Sequence, residues 1–154
     1  MRNVNHHYDL DASLFRAFLD QDMHYSCAYF RSPDQPLEEA QSAKCDHIRK
    51  KLCLKPGQKV LDIGSGWGSL GLYLADKEDV QVTGLTLSNE QLAVANKEAV
   101  RRGLDNQVQF RLEDYRNHQG KYDAVVSVGM FEHVGLKNFD GYFTKVAELL
   151  SREA

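Results

Sequence analysis

Residues 60–68, VLDIGSGWG, decide the fold of this chain. The apolar residues Val60, Leu61 and Ile63 are typical of a buried parallel strand. Glycines then follow at alternate positions, and glycine permits a tight turn and close approach to a ligand because it has no Cβ. The stretch therefore predicts a strand, a glycine turn and a helix, which is the arrangement that cradles a nucleoside in many α/β proteins. The glycines of the turn are Gly64, Gly66 and Gly68.

The spacing of these glycines indicates the kind of nucleoside. A dinucleotide fingerprint has a glycine at its sixth position, where this chain has Ser69. The turn therefore favours a mononucleoside such as S-adenosylmethionine. Asp62 lies just before the turn, and the sequence leaves two roles open for it, binding the ligand or fixing the loop.

Composition narrows the class of protein. A length of 154 residues suits a single domain. The formal net charge of −3 argues against a nucleic-acid partner. No apolar run approaches the ~20 residues of a membrane span. The three cysteines, Cys27, Cys45 and Cys53, show no metal-ligand spacing and follow no signal peptide. We therefore expect a reducing, cytoplasmic location without a disulfide or a metal site.

Strand and helix patterns alternate from residue 59 onward, which predicts a mostly parallel, Rossmann-like α/β sheet. Residues 1–36 are rich in aromatic side chains and are predicted to form an N-terminal helical cap, with Ser13 capping a helix over 14–19. Residues 37–154 would form the ligand-binding domain. Its predicted strands are 59–63, 80–85, 108–113 and 122–128, and its predicted helices are 37–54, 69–77, 90–102 and 139–150.

Four strands are fewer than a doubly wound sheet normally has. We therefore expect an incomplete domain that lacks its C-terminal strands, with the fourth strand at or near an open edge. An open edge also favours association into a homo-oligomer.

Polar residues just past each strand are candidates for ligand contact, because ligands bind at the carboxyl ends of parallel strands. Thr86 and Gln91 follow the second strand and could bind ribose hydroxyls, although Ser88 and Gln91 also have capping-box spacing. Asp114 and Tyr115 follow the third strand, where a carboxylate can accept from an exocyclic amine and a ring can flank a purine.

Glu132 and His133 follow the fourth strand, next to Gly129. A carboxylate and an imidazole at this edge suit proton transfer or the positioning of an anion. A solvated surface pair explains them equally well.

Five motifs, taken together, resemble the cyclopropane-fatty-acyl-phospholipid synthases and the related mycolic acid cyclopropane synthases. One departure is Ser65, where the family usually has cysteine. The motifs are residues 6–10 (HHYDL), 25–30 (YSCAYF), 37–44 (LEEAQSAK), 60–68 and 127–135 (SVGMFEHVG).

The resemblance implies a class I methyltransferase fold that binds S-adenosylmethionine. It implies an enzyme that adds a methylene carbon to the cis double bond of unsaturated phospholipid acyl chains, peripherally at a membrane surface. Cys27 and Glu132 fall on positions that help to hold a bicarbonate ion, the base of the reaction. The family's remaining bicarbonate ligands, a histidine and a tyrosine, come after residue 154, so we expect a truncated chain. The positions that the resemblance assigns to the cofactor are Tyr25, Ser26, Asp62, Gly64, Gly66, Trp67, Gly68, Thr86, Gln91 and Tyr115.

Two alternatives stay open. Methyltransferases that act on the nitrogen of small amines share this scaffold and would methylate without closing a ring. The chain could also be a non-catalytic fragment that binds the cofactor, or a partner chain, through its open edge.

Overall fold

The computed structural model describes residues 12–151 of the protein. Motif 6–10 and the first eleven residues of the predicted cap lie outside these residues. The helices are α1 (Ala12–Arg16), α2 (Leu37–Leu52), α3 (Ser69–Lys77), α4 (Asn89–Arg102) and α5 (Phe139–Leu149). The strands are β1 (Lys59–Ile63), β2 (Gln81–Thr86), β3 (Val108–Leu112) and β4 (Ala124–Val126). Short 3-10 helices cover Phe131–His133 and Leu136–Asn138.

The strands form one sheet in the order β3-β2-β1-β4, and every pair is parallel. The predicted α/β fold and the edge position of β4 are thereby confirmed. Because parallel strands all end at the same side of a sheet, the glycine turn and the loops after β2, β3 and β4 meet there.

Strand β4 is shorter than predicted, because only Ala124–Val126 pairs with β1. Beyond it, the Ser127 hydroxyl donates to the carbonyl of Ile63 at 2.9 Å. Before it, Tyr122 forms a parallel bridge with Leu150 on the outer side of β4. The chain therefore begins to cover this edge of the sheet just after α5.

Several helix boundaries also differ from prediction, and the first two helices differ most. The described part of helix α1 covers Ala12–Arg16 rather than residues 14–19, so Ser13 lies within the helix and the predicted cap at Ser13 was wrong. Helix α2 ends at Leu52 rather than at residue 54, because Cys53 adopts a left-handed backbone conformation with φ 49°.

Apolar side chains alternate between the two faces of the sheet, as expected for buried strands. Val60 and Val82 pack on one face, whereas Leu61, Ile63 and Leu85 pack on the other. No helix within residues 12–151 is long and apolar enough to cross a membrane.

The N-terminal segment packs against the glycine-turn side of the sheet. The ring of Phe15 lies 5.1 Å from that of Trp67, and the Ser69 hydroxyl donates to the carbonyl of Asp22. Asp22 also forms an ion pair with Arg102 of α4. Residues 15–22 are thereby tied to α3 and α4 and close one side of the space above the turn.

Candidate active site

A cavity of about 1370 Å³ opens at the carboxyl ends of the strands. Its walls are the glycine turn, the loops after β2, β3 and β4, residues 23–26, and Lys44 of α2. The sequence-predicted residues that line it are Tyr25, Ser26, Asp62, Gly64, Gly66, Trp67, Thr86, Gln91, Asp114, Tyr115, Glu132 and His133. Gly68 and Cys27 are not among its lining residues.

The glycines of the turn have different roles. Gly66 has φ +55°, and a Cβ added there would meet no atom within 4 Å. A Cβ at Gly68 would instead lie 2.6 Å from Phe110 Cζ and 2.8 Å from Ala95 Cβ. Gly66 therefore leaves room for a ligand, whereas Gly68 lets α3 pack closely on β3 and α4.

Asp62 lies beneath the turn and is only 2% exposed. Its Oδ2 atom is buried and has no hydrogen-bond partner among the described residues. Burial raises the pKa of this carboxyl group to about 7, because the charged form is poorly solvated there. An unsatisfied carboxylate in the wall of a cavity favours the ligand-binding role over the loop-fixing role.

Trp67 follows Gly66 and is almost fully buried. Its Nε1–H group has no hydrogen-bond partner among the described residues. A buried indole N–H normally finds an acceptor. The turn therefore presents a second polar group whose partner is not supplied by the described part of the chain.

The polar groups after β2 are paired with one another. The Thr86 hydroxyl donates to Gln91 Oε1 at 2.8 Å, and the backbone N–H of Gln91 donates to the Ser88 hydroxyl at 3.2 Å. Ser88 is thus the N-cap of α4, as its spacing predicts. The backbone N–H of Gln91 takes part in the cap and its side chain lines the cavity, where the binding of ribose hydroxyls stays a prediction.

The groups after β3 are held in a similar way. The Asp114 carboxylate accepts from Arg116 Nε at 2.9 Å and from the Arg116 backbone N–H at 3.0 Å. The hydrogen bond from the Arg116 side chain lowers the pKa of Asp114. The ring of Tyr115 lies edge-on to that of Tyr142, with centroids 5.5 Å apart. A carboxylate and a ring are therefore both fixed at this end of the cavity.

Lys44 is a site residue that sequence reasoning missed. It is 9% exposed and lines the cavity, and its Nζ donates to the Ser26 hydroxyl at 2.8 Å. Burial lowers its pKa. Gln41, one turn earlier in α2, donates to the Ser26 carbonyl at 3.0 Å. The available signal was a lysine on the same helix face as Ala40 and Ala43, which a surface lysine would avoid.

A buried network holds the segment that leads to Tyr25 and Ser26. His24 Nδ1 lies 2.8 Å from Asp20 Oδ2, and His24 Nε2 lies 3.1 Å from Cys45 Sγ. Burial lowers the pKa of His24 and raises the pKa of the Cys45 thiol to about 11. The neutral ring therefore donates to the carboxylate and accepts from the thiol, which fastens residues 20–24 to α2.

The two residues predicted to hold bicarbonate are placed differently. Glu132 lies in the 3-10 helix after β4 and lines the cavity. Cys27 is exposed and is not a lining residue. The structure therefore brings only Glu132 to the cavity.

Comparison with known proteins agrees with this architecture. The cyclopropane-fatty-acyl-phospholipid synthase of Escherichia coli (strain K12) is 51% identical over 147 residues, which are 96% of this chain and 37% of the synthase. A crystal structure of a mycolic acid cyclopropane synthase complexed with SAH and CTAB matches with a TM-score of 0.93 and 39% identity, over 98% of this chain and 53% of that one.

A coclaurine N-methyltransferase bound to N-methylheliamine and SAH matches with a TM-score of 0.87 and 29% identity, over 99% of this chain and 47% of that one. The fold is therefore that of the Rossmann-like class I methyltransferases. The chain spans well under half of the length of the Escherichia coli synthase. A family model described as mycolic acid cyclopropane synthetase matches residues 1–154. The chain belongs to the mycolic acid cyclopropane synthetase family.

Proposed function

We propose that this chain binds S-adenosylmethionine in the cavity and uses it to convert the cis double bond of unsaturated phospholipid acyl chains into a cyclopropane ring. The observation that carries the proposal is that the cavity wall contains both the open position at Gly66 and the buried Asp62 Oδ2, which has no hydrogen-bond partner among the described residues. A ligand would fill the space at Gly66, and a donor group on that ligand would supply the hydrogen bond that Asp62 Oδ2 lacks.

The lining residues fit the parts of this cofactor. Asp62 would accept from its ammonium group, because a buried carboxylate is most strongly stabilised by a charged donor. The amide of Gln91, held by Thr86, would bind the ribose hydroxyls. At the far end, Asp114 would accept from the adenine amine beside the ring of Tyr115.

The bound cofactor would supply an electrophilic methyl group. The chain's own part is to orient the cofactor and to keep water from the reacting carbon, because a cationic product of alkene attack would otherwise be trapped by water. Tyr25, Trp67 and Met130 contribute ring and thioether surface to the cavity wall.

Apolar side chains near the cavity support an acyl substrate. Phe131 stacks on Phe139 with ring centroids 4.5 Å apart, and Phe143 and Leu136 are 58% and 83% exposed. These residues belong to the segment that follows β4, whose members also line the cavity. Exposed apolar groups in one segment suit contact with a lipid.

Bicarbonate as the base is a prediction that rests on the family resemblance. Of its two predicted ligands, Cys27 is not at the cavity wall and Glu132 can only accept hydrogen bonds when ionised. These two residues supply no paired donors for this anion in the cavity, so we assign no proton transfer to it. Contact with a membrane surface, a cytoplasmic location and a homo-oligomer also remain predictions.

The first test is calorimetric titration of S-adenosylhomocysteine (SAH) into the 154-residue chain. The second is incubation of the chain with S-adenosylmethionine and vesicles of an unsaturated phospholipid, followed by proton NMR of the extracted lipid. We expect micromolar binding, and loss of vinyl protons together with the gain of one CH₂ per converted chain.

A chain that is folded by circular dichroism yet binds no SAH would contradict the proposal at its first step. A product that gains carbon but keeps its vinyl protons would mean methylation without ring closure. Methylation of a small amine has less support, since the N-methyltransferase is 29% identical to this chain and the Escherichia coli synthase is 51% identical.

A further inference from the structure

The Lys44 ammonium is a buried charge that forms no ion pair with the described residues. No carboxylate among the described residues lies within ion-pair distance of it, and its hydrogen bond to the Ser26 hydroxyl is one of the three that it can donate. The other lysine and arginine side chains that line the cavity within residues 12–151 are exposed or only half-buried. Lys44 is therefore the buried cation of the described cavity wall.

A buried charge without an opposite charge is costly to a folded protein. Proteins retain such groups where a ligand supplies the missing charge, as they retain perturbed groups at functional sites. Since Lys44 lines the cavity, an anion bound there would receive the free ammonium hydrogens. The Ser26 hydroxyl accepts from Lys44, so its own hydrogen is free to be donated to the same anion.

The position of Lys44 in the fold tells which part of the ligand it meets. The groups suited to adenine and ribose follow β3 and β2, at one end of the sheet order. Ser26 lies at the other end, because a Cβ at Gly129, after β4, would be 3.7 Å from Ser26 Cβ. The glycine turn contacts the same loop, since a Cβ at Gly64 would lie 2.9 Å from Met130 Cβ. The nucleoside and Lys44 therefore occupy opposite ends of the cavity.

We propose that Lys44, together with Ser26, binds the carboxylate at the amino-acid end of S-adenosylmethionine. Asp62 and Lys44 then present opposite charges to a zwitterion, one to its ammonium and the other to its carboxylate. This inference rests on the proposed function, because it needs the cofactor in the cavity. It assigns a binding role to Lys44, the last residue of the motif 37–44, for which no role was predicted from the sequence.

The experiment compares two ligands that differ only in the carboxylate: SAH, and its decarboxylated analogue, in which a propylamine replaces the amino-acid end. Both are titrated by calorimetry into the wild-type chain, Lys44→Met and Lys51→Met. Lys51 is an exposed lysine of the same helix and serves as the matched control. We expect the wild type to prefer SAH by roughly tenfold to a hundredfold, as for a hydrogen-bonded charge pair.

In Lys44→Met this preference should disappear while the affinity for the analogue stays unchanged, and Lys51→Met should behave as the wild type. If the analogue weakens as much as SAH in Lys44→Met, Lys44 only supports the Ser26 segment and the inference is wrong. Equal binding of both ligands by the wild type overturns it without any variant. A folded wild type that binds neither ligand overturns the proposed function itself.

Titrations with added bicarbonate test whether the anion bound by Lys44 is the carboxylate of the cofactor or a free bicarbonate ion. If bicarbonate raises the affinity of the analogue to that of SAH in the wild type but not in Lys44→Met, the free ion occupies the position of the carboxylate. That result would contradict the assignment of Lys44 to the cofactor. No effect of bicarbonate on the analogue supports it.

Discussion

The two walls of the cavity differ in how well their polar groups are satisfied. In the β2–β3 wall (Thr86, Gln91, Asp114 and Tyr115), the hydroxyl, the amide oxygen and the carboxylate are paired within the chain. In the β1–α2 wall (Asp62, Trp67 and Lys44), Asp62 Oδ2 and Trp67 Nε1 are buried without partners, and Lys44 has no counterion among the described residues.

This difference indicates that the two walls contribute to ligand binding in different ways. A wall that satisfies its own hydrogen bonds keeps its shape before a ligand arrives, at little cost in stability. A wall with unpaired buried groups is unfavourable until a ligand supplies the partners. We therefore expect the β2–β3 wall to provide shape and the β1–α2 wall to provide most of the electrostatic binding energy.

The largest expected effect concerns Asp62. Its pKa in the folded chain, about 7 against 3.8 for the free group, means that the folded state binds its proton more tightly than the unfolded state does. The contribution of Asp62 to the unfolding free energy is therefore fully present below pH ~4 and is lost as the pH rises to about 7, a change of about 4 kcal/mol. Asp62→Asn should lack this loss and be more stable than the wild type at pH 8.

Urea denaturation between pH 4 and 8 measures this difference, with the exposed Asp105→Asn as the control. Parallel pH profiles for the wild type and Asp62→Asn would show that the carboxylate is not destabilising. The contrast between the two walls would then rest on Trp67 and Lys44.

The next effect concerns the open position at Gly66. Gly66→Ala places a methyl group in the space assigned to the cofactor and should weaken SAH binding by about 2–3 kcal/mol, roughly a hundredfold. Gly103→Ala is a matched control, because Gly103 also has a positive φ, +68°, and an added Cβ there meets nothing within 4 Å. Both variants should lose about 1 kcal/mol of stability through the left-handed backbone.

Calorimetry and thermal denaturation of this pair separate strain from blocked approach. If Gly103→Ala weakens SAH binding as much as Gly66→Ala does, backbone strain accounts for the loss. The space at Gly66 would then have no special part in binding.

The smallest effect is expected in the β2–β3 wall. Thr86→Val removes the hydroxyl that donates to Gln91 Oε1 and should lower the unfolding free energy by about 1 kcal/mol, because it leaves a buried oxygen unpaired. SAH affinity should fall only severalfold, since the ring of Tyr115 and the carboxylate of Asp114 remain in place. Chemical denaturation and calorimetry measure the two quantities.

The double variant Thr86→Val with Gln91→Leu removes both side chains of this hydrogen bond and should recover part of the stability. The recovery is incomplete because the Ser88 backbone N–H, which donates to the Thr86 hydroxyl at 3.2 Å, still loses its acceptor. Complete loss of SAH binding in Thr86→Val would reverse the comparison. The β2–β3 wall would then carry the binding energy.

Several features of the site were predictable because they depend on neighbouring residues. Residues 60–68 predicted the strand and the glycine turn, since apolar runs and glycine spacing act locally. Ser88 and Gln91 predicted the cap of α4, because capping joins residues three positions apart. The length of β4 was not predictable in the same way, since pairing with β1 alone determines where that strand ends.

What the sequence by itself determined is the order of strands, turns and helices and, through five motifs, the family. The tertiary structure decided which polar groups stay unpaired. Whether Asp62 or Lys44 has a partner depends on residues far away in the chain, such as Ser26, which lies eighteen positions before Lys44. The tertiary structure also decided that Glu132 lines the cavity and that Cys27 does not. Burial and the pairing of charges are properties of three-dimensional packing, and no local pattern of residues records them.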